Sequence, residues 1–243
     1  MKRAIATVSV VMGLGIVSAP AQAQAQAQDE TATGSRLDPS RRSNPNSSTV
    51  QSSQTVYRMI RCDVSKRPEK AEAFLGALDP AQAEYEEGVL FKTRECSFGW
   101  LVDPNASEIR FSASQSVIRG MVAEILLERS KDDDALQPLE FQLHYPRSWH
   151  GLTSRDKAVD EMATCVADID PQGIRKLLAT DFESAEERAA LRAVVPELGK
   201  CLQAGYKLDG NPLGLRTALA EALYYRAFHP ELAAAADQTD TSK

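Results

Sequence analysis

The sequence predicts an all-α protein in which two tandem four-helix units, related by internal duplication, pack into one compact disulfide-stapled domain. Three observations carry that expectation. Residues 201–212 (Cys-Leu-Gln-Ala-Gly-Tyr-Lys-Leu-Asp-Gly-Asn-Pro) and residues 96–105 (Cys-Ser-Phe-Gly-Trp-Leu-Val-Asp-Pro-Asn) share one pattern, a cysteine followed by G-[WY]-x-[VL]-D-x-N. Val159, Met162 and Cys165 reproduce Val56, Met59 and Cys62 at an offset of 103 residues. Residues 215–226 reproduce residues 118–129 at an offset of 97, with Arg119, Ala123, Glu124, Leu126 and Arg129 matched by identical residues.

The pattern divides the chain into a signal peptide over residues 1–27, a disordered leader over 28–53, a first helical repeat over 54–130, a connector over 131–152, a second repeat over 153–228 and a tail over 229–243. Lys2 and Arg3 precede an apolar stretch at residues 4–17 that is too short to span a bilayer, and the Ala-Gln alternation behind it places cleavage after Ala23 or Ala27. Residues 28–53 are rich in Gln, Ser, Thr, Asn and Pro and have too little apolar surface to offset ordering entropy.

Within the first repeat, Val56, Met59 and Cys62 are expected on one face of a short helix, and Pro68 restarts the chain. Ala71, Phe74, Leu75 and Leu78 give the second helix an apolar stripe. Asp79, Pro80 and Gln82 form an N-terminal signature for a third helix, expected to run to about Phe98, with Cys96 in its last turn and Gly99 as a left-handed cap. Residues 108–111 read as extended or irregular. A fourth helix, capped by Ser112 or Ser114 and ending near Arg129, is apolar around much of its circumference.

The second repeat is expected to open at Thr153 or Ser154. Pro171 matches Pro68, and Leu177 and Leu178 match Phe74 and Leu75, at the offset of 103. Ser184 and Glu187 form a capping box for a helix that Pro196 should kink or shorten. Asn211 and Pro212 open the last helix. The offset falls from 106 at Gly205 to 97 at Arg216, which places nine extra residues in the loop between Asn105 and Arg119.

Four cysteines in an exported chain are expected to pair. Of the three connectivities, locality favours Cys62 with Cys96 and Cys165 with Cys201. With no C-x-x-C and no cysteine beside a histidine, neither a metal nor a cofactor is expected.

Trp100, Asp103, Tyr206 and Asp209 in the repeated motif are candidate binding residues, although helix termination, packing and capping explain the same positions. Arg119, Glu124, Arg216 and Glu221 are polar residues set in apolar helices. An arginine and a glutamate five apart do not share a helix face, so they are expected to pair with other helices across the seam between repeats or to lie at a stripe's edge. His144 and His150 flank Trp149 in the connector without an identifiable third ligand, and the S-x-x-K spacing of Ser154 and Lys157 reads as the first turn of a helix.

The whole chain carries a formal net charge of -6; removing Lys2 and Arg3 with the signal leaves 26 basic and 34 acidic residues, near -8. That balance argues against nucleic-acid binding. The expected function is a non-catalytic binding or structural role in the cell envelope, periplasmic or secreted, toward an unidentified protein or envelope component and with no transmembrane segment in the mature chain. The alternative is an envelope hydrolase using a carboxylate or a connector histidine, which requires those groups to converge in a pocket.

Overall fold

The computed structural model of the chain describes residues 47–49, 53–92, 96, 108–110, 113–130, 136–208 and 211–233. Helix α1 (Ser53–Lys66) buries Val56, Tyr57, Ile60 and Val64. This corrects the expected face, because Met59 and Cys62 are only half-buried. The i, i+4, i+8 row presents the larger apolar area to the neighbouring helices and wins. Helix α2 (Pro68–Gly76) buries Ala71, Phe74 and Leu75 behind a proline that needs no N–H in the first turn.

Helix α3 (Pro80–Leu90) is capped by the Asp79 carboxylate, which accepts from the Ala81 and Gln82 amides at 3.0 Å each. It stops at Leu90, with Phe91 as its C-cap, well short of the expected Phe98. Only Ala83 and Leu90 are buried along it, and Gly88 weakens it by about 1 kcal/mol relative to alanine, so little packing energy extends the helix towards Cys96. Strands β1 (Ser47–Thr49) and β2 (Glu108–Arg110) pair in parallel, Ser47 opposite Glu108; β1 falls in the stretch expected as leader.

Helix α4 (Gln115–Arg129) buries every residue from Val117 to Leu127. Ser114 is its N-cap, accepting from the Val117 amide at 3.4 Å. Helix α5 (Lys157–Ile169) is capped by Asp156, whose Oδ1 accepts from Ala158 at 2.9 Å. The cap is therefore two or three residues later than Thr153 or Ser154. The carboxylate satisfies the first-turn amide, and the residue before it, Arg155, is drawn into the interior.

Helix α6 (Pro171–Leu178) is capped by Asp170. Helix α7 (Ala185–Cys201) carries a capping box in which Ser184 accepts from the Glu187 amide and Glu187 accepts from the Glu183 amide. Pro196 does not shorten α7, which continues to Cys201. Pro196 lies on the exposed side, where the carbonyl it leaves without a donor can turn to water. The left-handed residue Gly205, at φ 85°, belongs to a turn after the helix, whose C-cap is Leu202. Helix α8 (Pro212–Phe228), capped by Asn211, buries Arg216 to Tyr225 without interruption. A four-residue helix, α9 (Pro230–Ala233), follows.

The most extensive packing is α4 against α8. α1 and α2 lie on α4, while α5 and α6 lie on α8; α3 packs on α2, and α7 packs on α6 and α5. Gly120 permits the α4–α8 approach: a Cβ there would lie 2.3 Å from both the Cβ and the carbonyl oxygen of Thr217. Both disulfides follow the local pattern, Cys62 with Cys96 and Cys165 with Cys201, each with a Cα separation of 5.6 Å. In the chain-entropy account, closing loops of this length contributes about 3–4 kcal/mol each. The described residues thus form an all-α, disulfide-stapled domain, and no described helix is long and apolar enough to cross a membrane.

Candidate functional site

Two clusters of buried charge flank the α4–α8 contact. In the first, Arg119 of α4 donates from Nε to Glu221 of α8 at 2.8 Å. Its other nitrogens donate to the carbonyls of Phe74, Ala77 and Leu75 at the end of α2 and to the Tyr225 hydroxyl. In the second, Arg216 of α8 clasps Glu124 of α4 with two nitrogens, at 3.1 and 2.6 Å. It also donates to Glu187 at 2.8 Å and to the carbonyls of Leu178 and Thr180 at the end of α6. Each helix therefore supplies an arginine to one cluster and a glutamate to the other. Arg119 and Glu124 are fully buried, and Arg216 and Glu221 nearly so.

Burial raises the pKa of Glu124, an effect opposed by its two bonds to Arg216. Burial works in the opposite sense on the arginines, yet Glu221 beside Arg119, and Glu124 and Glu187 beside Arg216, hold both above the ordinary value. These carboxylates are engaged ion-pair partners, with their lone pairs directed at guanidinium groups.

The loop leading into α5 completes the first cluster. Arg155 enters beside Asp160, at 3.2 Å, and donates to the second Glu221 oxygen at 2.7 Å and to the Ser116 carbonyl at 3.0 Å. Asp160 in turn accepts from the Gly151 amide at 2.8 Å, and burial raises its pKa to about 6. Trp149 stacks on Tyr225 at 4.8 Å. His150 lies 3.0 Å from the Thr164 hydroxyl, which donates its own proton to the Asp160 carbonyl, so the neutral imidazole is the donor to Thr164. Burial and the nearby Arg147, Arg155 and Lys157 push the His150 pKa down to about 3. Arg226 ties the strap down by donating to the Ala167 and Asp168 carbonyls of α5 and the Gln137 carbonyl of the connector.

A cleft of about 600 Å³ opens beside the second cluster. Tyr57, Arg58 and Arg61 of α1, Glu124 and Glu128 of α4, and the segment from Arg175 to Phe182 all contribute to its walls. Arg216 reaches it with its guanidinium 3.9 Å from the Phe182 ring centre, and Tyr57 packs on the same ring at 4.7 Å. Glu128 accepts from the Tyr57 hydroxyl at 2.7 Å and pairs with Arg61. A second cleft, of about 620 Å³, has Glu72, Arg129, Tyr224 and His229 among its lining residues.

The described candidates, Glu124, Glu221, His144 and His150, do not meet. Glu124 and Glu221 sit in separate clusters, His150 is held against Thr164, and the His144 side chain is 84% exposed. Of the motif residues, Tyr206 donates its hydroxyl to Asp156 at 2.8 Å, joining the turn after α7 to the cap of α5. Trp100, Asp103 and Asp209 lie outside the described residues. Among the described residues there is no group of three or more His, Cys, Asp or Glu side chains arranged to hold a metal ion.

Sequence reasoning gave cross-helix pairing as one of two expectations for Arg119, Glu124, Arg216 and Glu221, the other being a place at a stripe's edge, and it missed Arg155, Asp160 and the cleft. Arg155 precedes a helix cap in a polar loop, where no periodicity marks burial. Arg58, Arg61 and Arg175 are ordinary polar-face residues until α1 and α6 are brought to one opening. Comparison with protein-family models, with curated proteins and with solved structures found no match to this chain.

Proposed function

We propose that this is an exported, internally duplicated protein with a non-catalytic binding or structural role in the cell envelope. The observation that carries the non-catalytic reading is the exchange of arginine and glutamate between α4 and α8. It engages the two glutamates that the sequence offered as acid–base candidates, and Glu221 is held by two arginines at once.

Support for duplication comes from reciprocity of the kind a two-fold axis generates, in which residue i meets j and j meets i. Arg119 meets Glu221 while Arg216 meets Glu124, and these four residues match at the offset of 97. Gly120 and Thr217, also 97 apart, meet each other at the crossing. Arg119 donates to the Leu75 and Ala77 carbonyls, and Arg216 donates to those of Leu178 and Thr180, which match at the offset of 103. Support for export comes from the signal-like first 27 residues together with two disulfides, which persist in oxidising compartments.

Two measurements test this reading. Unreduced protein from the envelope fraction should have the mass of a chain cleaved after Ala23 or Ala27 and carrying both disulfides; a reduced, uncleaved chain in the cytoplasm overturns export. Wall polymers and peptides should not be turned over. A hydrolytic rate abolished by Glu124→Gln or Glu221→Gln, with the fold retained, overturns the non-catalytic reading.

A further inference from the structure

We propose that residues 139–144 of the connector form an edge at which two copies of the chain pair as antiparallel strands, about a two-fold axis at Gln142. This pairing rests on the reading of the chain as a binding or structural component, and it names the partner as a second copy.

Leu139, Phe141 and Leu143 are 51, 50 and 84% exposed, which gathers half of the large exposed apolar side chains into five residues. Residues 136–142 run without helix, turn or bend, and side chains two apart lie on one side of an extended chain. The run is fixed at both ends. Arg226 donates to the Gln137 carbonyl, and the Leu139 amide donates to the Asp168 carbonyl at 2.7 Å. Tyr145 is buried, its amide donates to Glu161 at 3.0 Å, and its hydroxyl accepts from the Gln142 amide at 2.6 Å. A strand held in this way loses little further freedom when it pairs.

The remaining backbone groups define the edge. The amides of Leu139, Gln142 and Tyr145 are engaged within the chain, whereas those of Phe141 and Leu143 have no partner among the described residues. Residues directly opposite in an antiparallel pair can exchange both N–H···O bonds. Phe141 set opposite Leu143 of a second copy satisfies both amides and leaves the engaged ones undisturbed.

The sequence around Gln142 selects a second copy as the occupant. Residues 138–146 read Pro-Leu-Glu-Phe-Gln-Leu-His-Tyr-Pro, a run whose chemistry is nearly the same in both directions apart from the exchange of acid for base. Antiparallel pairing about Gln142 sets Phe141 against Leu143 and Glu140 against His144, each twice by symmetry. His144 lies 3.9 Å from Glu161 of its own chain, and its side chain is exposed. An axis at Phe141 or Leu143 loses the charge pair, and an axis between residues sets apolar side chains opposite polar ones. Pro138 and Pro146 lack an N–H and the chain bends at Leu143, so the ladder is short and does not propagate.

The test is sedimentation of the processed, disulfide-intact protein from about 5 to 500 µM. It should show a monomer–dimer equilibrium with a dissociation constant of about 10–100 µM, in keeping with so small an edge. Leu143→Asp should weaken the dimer at least about tenfold, with a melting temperature within about 2 °C of wild type. If that variant loses the fold, Leu143→Ser serves in its place and should show the same direction of change. His144→Glu sets two carboxylates opposite each other and should weaken pairing about tenfold, and adding Glu140→Lys should restore it. Gln142→Cys places two thiols at the axis, where opposite Cα atoms about 4.5–5.5 Å apart suit a disulfide. It should give a covalent dimer on a non-reducing gel, while Val195→Cys, exposed on α7, should not.

A monomer throughout that range, a dimer indifferent to Leu143→Asp, no restoration by the charge exchange, or cross-linking no greater at Gln142→Cys than at Val195→Cys overturns the proposal. A monomer that is exported with both disulfides and turns nothing over loses only this edge. A dimer that hydrolyses a wall polymer keeps the edge, and the non-catalytic reading falls.

Discussion

Glu124 and Glu221 occupy matching positions, yet replacing them should have unequal consequences because their neighbours differ. Among the described residues Glu221 is the one carboxylate paired with Arg119, and it also serves Arg155, which has Asp160 beside it. Glu221→Gln leaves two buried guanidinium groups with one carboxylate between them and turns an amide N–H₂ towards one of them. Removing one partner of a buried pair costs about 3–5 kcal/mol. Glu124→Gln leaves Arg216 paired with Glu187 and still donating to the Leu178 and Thr180 carbonyls. Its cost is nearer the loss of a charged hydrogen bond, about 1.5–3 kcal/mol. The assay is urea unfolding at neutral pH with both disulfides intact, fitted by linear extrapolation. Glu221→Gln should be the less stable variant by about 2 kcal/mol, or about 4–8 °C in melting temperature for a folded region of this size. Equal losses, or a greater loss for Glu124→Gln, would refute this assignment of charges.

Glycine replacements should have opposite signs. Gly120→Ala forces α4 away from the Thr217 backbone and should cost about 3 kcal/mol or more by chemical denaturation, whereas Gly88→Ala enters open space within α3 and should stabilise by about 0.5–1 kcal/mol. Equal effects would sink the close-contact account. Asp160 should show an acid-side gain, because burial raises its pKa from 3.8 to about 6, even though Arg155 and the Gly151 amide favour the ionised form and Glu221 and Asp156 oppose it. A folded-state pKa above the unfolded value gives stability that is fully present below about pH 3.8 and lost as pH rises through about 6. Asp160→Asn should therefore fare better relative to wild type at pH 7 than at pH 4, by on the order of 3 kcal/mol; a difference independent of pH would overturn this. His150 has the reverse sign. Burial lowers its pKa from 6.5 to about 3, so its contribution is present above pH 6.5 and lost as pH falls towards 3, and His150→Gln should reduce acid sensitivity in the same melting series.

What was legible in the sequence was local. Proline at the start of α2, α3, α6 and α8 and the caps Asp79, Ser184 and Asn211 are short-range signals, because backbone donors at a helix start must be satisfied by nearby atoms. The cysteine pairs followed from their spacing. The five-residue separation of Arg119 and Glu124 excluded pairing within one helix and left two expectations, a partner on another helix or a place at a stripe's edge; both residues pair with α8. The end of α3 was not legible, because it depends on how little of that helix is buried. The start of α5 and the burial of Arg155 depend on a partner 66 residues away, Glu221. The cleft has no sequence signature at all, since its arginines come from two exposed or half-exposed helix faces and acquire a common surroundings only through packing.

The buried charges do more to define an arrangement than to add stability. Desolvating an ion pair consumes most of its Coulomb gain, and hydrophobic replacements are often as stable. α4 and α8, however, are apolar around almost their whole circumference, so apolar contact alone discriminates weakly among rotations and translations of one against the other. Each helix carries one arginine and one glutamate, and both pairs form only in one antisymmetric register, with Gly120 at the crossing. A slip of one turn, about 5.4 Å, separates both pairs at once and drives other side chains into the space that Gly120 leaves for Thr217. Each such error leaves buried charges without partners, a far larger penalty than the apolar contact it preserves. A fixed register is also what carries Arg216 and Glu124 to the wall of the cleft while α1 and α6 bring Arg58, Arg61 and Arg175 to the same opening. The contacts between α4 and α8 thereby position the residues that line the cleft.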